Sequence, residues 1–171
     1  TSVGQSLNSE GGSLVVNAGD SDTQTGGNIL IASGASSMSA SGQIVVESGN
    51  SQSSSSGSSG TVLIQSGSSS DGASGTISLA SGNSMLKSGD VIVEASSGGS
   101  GGNVLMVAGD SSTETGGSIL LRSGGSGSNV GGSAEILTSD SFQSSGSITM
   151  QTGSSAAGNS GSIKLGSGDV S

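Results

Sequence analysis

A glycine opens the same short run of residues eleven times along the chain, at Gly12, Gly27, Gly42, Gly60, Gly75, Gly89, Gly102, Gly117, Gly132, Gly146 and Gly161. The residues two and four places after each glycine are apolar in every copy, from Leu14 and Val16 to Ile163 and Leu165. The residue one place after it is always polar: Ser13, Asn28, Gln43, Thr61, Thr76, Asp90, Asn103, Ser118, Ser133, Ser147 and Ser162. Alternation of that kind is the mark of a strand with one buried face. Seven places after the opening glycine stands a second small residue, Gly in nine copies and Ser96 or Ser139 in the other two. The pattern predicts an all-β fold, a β-solenoid or β-helix of about eleven stacked coils with a period near 15 residues and one strong strand per coil. The bracketing glycines are expected at corners, where the chain turns with positive φ or has no room for a Cβ. The other half of each repeat is more weakly patterned, with Met38 and Ala40, Leu86, Val130 or Phe142, so the predicted core is thin.

Composition alone points elsewhere. Gly supplies 34 and Ser 48 of the 171 residues, a bias that belongs to linkers and disordered tracts. The apolar positions argue against that reading, because a disordered tract has no cause to repeat them in register. A longer period overlies the short one. The run from Gly11, GGSLVVNAGDSDTQTGGNILI, returns from Gly101 as GGNVLMVAGDSSTETGGSILL, 90 residues or six repeats later. The expected organisation is a partial coil or lead over residues 1–10, with Val3 and Leu7, followed by a single continuous solenoid over 11–171 built on this six-coil unit. An insertion of Ser residues at 53–56 lengthens one coil. Neither end carries a helical or charged cap. The chain also starts Thr-Ser-Val-Gly, as expected of a processed product or part of a longer polypeptide.

The chemistry available is narrow. There is no His and no Cys to serve as base, nucleophile or soft metal ligand, and the only cations are Lys87, Arg122 and Lys164, so no catalysis is expected. Glu47 and Glu94 share an offset but stand three repeats apart and read as solvated charges. A net charge of −9 disfavours nucleic acid, and no apolar stretch is long enough to span a bilayer as a helix. Eight places after the opening glycine, Asp20, Asn50, Asn83, Asp110, Asp140 and Asp169 form a corner column. Its first reading is an Asx turn, in which a short side chain bonds the backbone two residues on. A ladder of calcium ligands is the other reading, although Ala35, Ser68, Ser97, Gly125 and Ser154 interrupt it. No other cofactor is expected. One outward stripe is apolar, comprising Val15, Leu30, Val45, Leu63, Ile92, Leu105 and Leu121, and is expected to form a lateral interface. Thr23, Thr25, Thr113 and Thr115 are a sparse hydroxyl array of the kind an ice-binding face would need. Any sugars would be O-linked, since no Asn-X-Ser/Thr sequon occurs.

The run GGSLVVNAGD, with its variants SGTISLASG at Ser74 and NSGSIKLGSG at Asn159, resembles the Gly/Ser-rich repeats of large secreted or surface proteins of diatoms and related algae. It is similar, more loosely, to β-helical adhesin stalks of bacteria. The resemblance implies an extracellular structural or adhesive role with no catalytic residues to carry over. Taken together, the expectation is a non-catalytic protein that self-associates, end to end or laterally, into an extracellular fibril, filament or matrix. The alternative is an adhesin-like stalk that binds carbohydrate, a surface or ice.

Overall fold

The computed structural model describes Gly4, Glu10, and residues 11–52 and 56–169. Most of the expected N-terminal partial coil, including Val3 and Leu7, lies outside the described residues, as do Ser53, Ser54 and Ser55 of the insertion. The chain divides into two units, Thr1–Gly89 and Asp90–Ser171.

The repeat is visible in both units, but it is not a coil. Among the described residues, apolar segments alternate with loops, several of which are pinched shut at the neck. The neck is made by two small residues. A Cβ placed on Gly27 would stand 3.1 Å from the Cβ of Ala18 and 3.1 Å from the backbone nitrogen of Gly19. On Gly117 it would stand 3.3 Å from the Cβ of Ala108 and 3.2 Å from the nitrogen of Gly109. The same pairing recurs with Ser33 against Gly42, Ser48 against Gly60, Ala95 against Gly102 and Thr152 against Gly161. In each case the partner is the residue six places after the preceding opening glycine, and in every repeat that residue is Ala, Ser or Thr. This offset is also the most sheltered in the structure: Ala18, Ser48, Ser66, Ala108 and Thr152 are half-buried where their neighbours are exposed.

Backbone hydrogen bonds close the same necks. The Gly27 N–H donates to the Gly19 carbonyl at 2.8 Å, and Gly42 to Gly34, Gly117 to Gly109 and Gly132 to Gly124 at 2.9 Å each. A longer bond, 3.4 Å, runs from Gly102 to Ser96. The closures at 19–27 and 34–42 in one unit match those at 109–117 and 124–132 in the other, 90 residues on. The duplication legible in the sequence is therefore also a duplication of local structure.

These contacts correct the predicted fold. The described residues contain no helix and no strand, so the chain is not an all-β solenoid or β-helix of stacked coils. A solenoid with this period pairs each residue with the one about 15 places later, whereas here residue 19 meets residue 27. The reason lies in the weak half of the repeat. To cover the apolar segment, that half must return across it as a second arm carrying inward apolar side chains. It is instead rich in Ser and Gly, and it closes on itself within about eight residues, so the apolar segment has no facing arm. The corner reading of the glycines is corrected in one respect: among the described residues no glycine has positive φ. Lack of room for a Cβ is met at Gly27, Gly42, Gly102 and Gly117, where a Cβ would come within 3.1–3.3 Å of its neighbours. The second glycines of the repeats, including Gly19, Gly34, Gly109 and Gly124, face open space.

The result, among the described residues, is a chain without a core. None of the described residues is buried. The accessible surface is 17094 Å², against about 7,300 Å² for a folded monomer of this mass and about 23,000 Å² for a fully unfolded one.

Candidate functional site

The apolar segments are the part of this chain with something left to bind. Each leaves a neck, which shelters its first apolar residue in part: Val62, Ile77 and Ile148, two places after their glycines, are each 48% exposed. Shelter falls away one residue later. The residues of the expected interface, Val15, Leu30, Val45, Leu63, Ile92, Leu105 and Leu121, are all exposed, from 63% at Val45 to 88% at Leu30. Six of them stand three places after an opening glycine. Leu121 stands four places after Gly117, and the residue of that repeat in line with the others is Leu120, also exposed. No buried face separates these side chains, because the residues at plus four, such as Ile31 and Val46, are exposed too, although in most repeats somewhat less than those at plus three.

The loops between the segments are held by a residue type that the sequence reading passed over. Nine places after the opening glycine, a serine hydroxyl accepts backbone N–H groups two or three residues further on. Ser21 accepts from Gln24 at 3.0 Å, Ser36 from Ser39 at 3.0 Å, Ser69 from Gly72 at 3.0 Å and Ser84 from Leu86 at 3.1 Å. In the second unit Ser111 accepts from Glu114 at 2.8 Å, Ser126 from Asn129 at 2.9 Å and Ser155 from Gly158 at 3.1 Å. The chain bends over the residues that follow each of these serines, for example 22–24, 37–39, 112–114 and 127–129. This is the local side-chain capping that Ser offers in turns. Its signal was in the sequence, since that offset is Ser in nine of eleven repeats, but it is hard to single out in a chain with 48 serines. The Asx column stands one residue earlier. Asp20, Asn50, Asn83, Asp110, Asp140 and Asp169 are all exposed at the loop mouths.

Among the described residues, no three acidic side chains come together in a way that could hold a metal ion. Glu47 and Glu94 lie in different units and are both exposed. One open cleft has mixed character: residues 121–123 and 133–136 diverge from the neck at Gly124 and Gly132, bringing Arg122 and Glu135 to a hollow walled by Leu121 and Ile136. The four threonines of the sparse array, Thr23, Thr25, Thr113 and Thr115, are exposed in or beside the loop bends. No described helix is long and apolar enough to cross a membrane. Comparison with protein families, characterised proteins and solved structures finds no match for this chain.

Proposed function

We propose that this protein is a non-catalytic structural component that associates with further copies of itself through its apolar segments, building an extracellular fibril, filament or matrix. The observation that carries the reading is the exposure of an apolar segment in every repeat, with no residue buried among those described. Monomeric proteins rarely leave contiguous apolar patches of more than a few hundred Å² in water. Covering one Val, Leu, Ile or Met side chain contributes about 1.5–3 kcal/mol, and each repeat offers at least two such residues. Repetition makes another copy the natural partner, since two chains in register present the same segments in the same order. The pinched Ser/Gly loops act as polar spacers that keep successive segments apart along one chain. O-linked sugars on the Ser and Thr of those loops are compatible with this arrangement, because the loops are exposed.

Sedimentation of the purified chain over a range of concentrations tests the proposal. Large, concentration-dependent species are expected, and Leu30→Asp combined with Leu105→Asp should diminish them. A chain that stays monomeric at all concentrations would overturn the reading. Binding to a carbohydrate or to ice that survives those changes, and is lost on altering Thr23, Thr25, Thr113 and Thr115, would move the function to the adhesin-like alternative.

A further inference from the structure

We infer that Asp71 is a self-modification site, where the aspartate converts spontaneously to isoaspartate through a cyclic imide, and that Ser69 sets the rate. The chain contains one Asx residue followed by glycine, at Asp71 and Gly72; the other Asp and Asn residues precede side chains, as in Asp20-Ser21, Asp110-Ser111 and Asp140-Ser141. That difference matters because the reaction is an attack by the following backbone nitrogen on the aspartate Cγ. A side chain on the attacking residue crowds the five-membered ring that forms, and glycine brings none.

The local structure supplies access. Asp71 is exposed and lies within the bend over residues 70–72. Around Gly72 the nearest group to a Cβ position is the Ser69 hydroxyl, at 3.4 Å. The atoms balance without a co-reactant other than water. The Gly72 nitrogen bonds to Cγ of the protonated Asp71 carboxyl, and the carboxyl OH leaves with the amide proton as water. Hydrolysis of the imide returns that water at one of the two carbonyls. Opening at the backbone carbonyl leaves the main chain running through Cγ, one methylene longer, with the carboxylate now on Cα.

Ser69 opposes the first step. The Gly72 N–H donates to the Ser69 hydroxyl at 3.0 Å. That bond ties up the proton the nitrogen must shed. Once the extra methylene is in the chain, residues 69 and 72 no longer hold this spacing, so the serine cap of this one loop is lost. The loops capped by Ser21 and Ser111 lack the Asp-Gly step and keep theirs.

The test is to age the full-length chain in warm, mildly acidic buffer and follow two readouts. One is cleavage at Asp71 by an aspartate-directed endoprotease, which does not cut isoaspartate; the other is methyl transfer by an isoaspartyl methyltransferase. Cleavage at Asp71 should disappear with time while cleavage at Asp20, Asp110 and Asp140 persists, and methyl acceptance should rise in step. Ser69→Ala should speed the loss by roughly two- to tenfold, the weight of one hydrogen bond, and Gly72→Ala should slow it. Conversion at Asp71 no faster than at Asp20 would overturn the site, and an unchanged rate in Ser69→Ala would overturn the role of the serine. Neither readout depends on whether the chain self-associates.

Discussion

Gly27 and Gly117 are chemically alike to Gly19 and Gly109, yet the structure separates them. The first pair carry hydrogens that face the Ala18 and Ala108 methyl groups across a closed neck, while the second pair face open space. Enlarging the neck from the opposite side leaves the reporting amides untouched. Ala18→Val and Ala108→Val should therefore force the necks open, and hydrogen exchange at the Gly27 and Gly117 amides should quicken by roughly two- to tenfold, the span expected for one net hydrogen bond. Gly19→Ala should leave the Gly27 amide as it was. The small residue six places into every repeat was legible in the sequence as Ala, Ser or Thr. Its purpose was not, because smallness is common in a Gly/Ser-rich chain and only the position of the next glycine shows what it packs against.

The loop is the unit that repeats with fidelity. Seven serines at one offset cap seven bends, and the pairs at Ser21 and Ser36 recur at Ser111 and Ser126 with the same acceptor geometry. Removing the hydroxyl leaves the bend without its local acceptor. Ser21→Ala and Ser111→Ala should each speed exchange at the Gln24 or Glu114 amide by roughly two- to tenfold, whereas Asp20→Ala should change the Gln24 amide little, since the Ser21 hydroxyl is its acceptor. Asp and Asn of the Asx column compete for loop N–H groups as Ser does. Which of two adjacent polar residues points its oxygen at the bend depends on the backbone path, and alternation and composition do not carry that information.

Across the full chain, apolar attraction and like-charge repulsion act against each other. Eleven apolar segments favour association, while 12 acidic against 3 basic residues resist it. Salt shifts that balance in a known direction: the Debye length falls from about 30 Å at 0.01 M to about 8 Å at 0.15 M ionic strength. Association measured by sedimentation or light scattering should therefore strengthen from low to physiological salt. Sodium chloride and calcium chloride matched for ionic strength should act alike if screening alone is responsible, and a much larger effect of calcium would instead revive the ligand-ladder reading of the Asx column.

From the order of its residues alone, the chain declares its repeat, its 90-residue duplication, its polar spacers and the set of side chains that favour burial. Each of these is a property of local chemistry and needs no contact to define it. What covers those side chains is a different matter, because a period of two says that one face of a segment is apolar and nothing about the surface opposite. The solenoid prediction required the weak half of each repeat to return over the strong half. Tertiary structure decided otherwise, because an Ala, Ser or Thr side chain against a glycine, reinforced at several necks by a backbone bond, closes that half into its own loop. The apolar segments consequently remain in solvent within one chain.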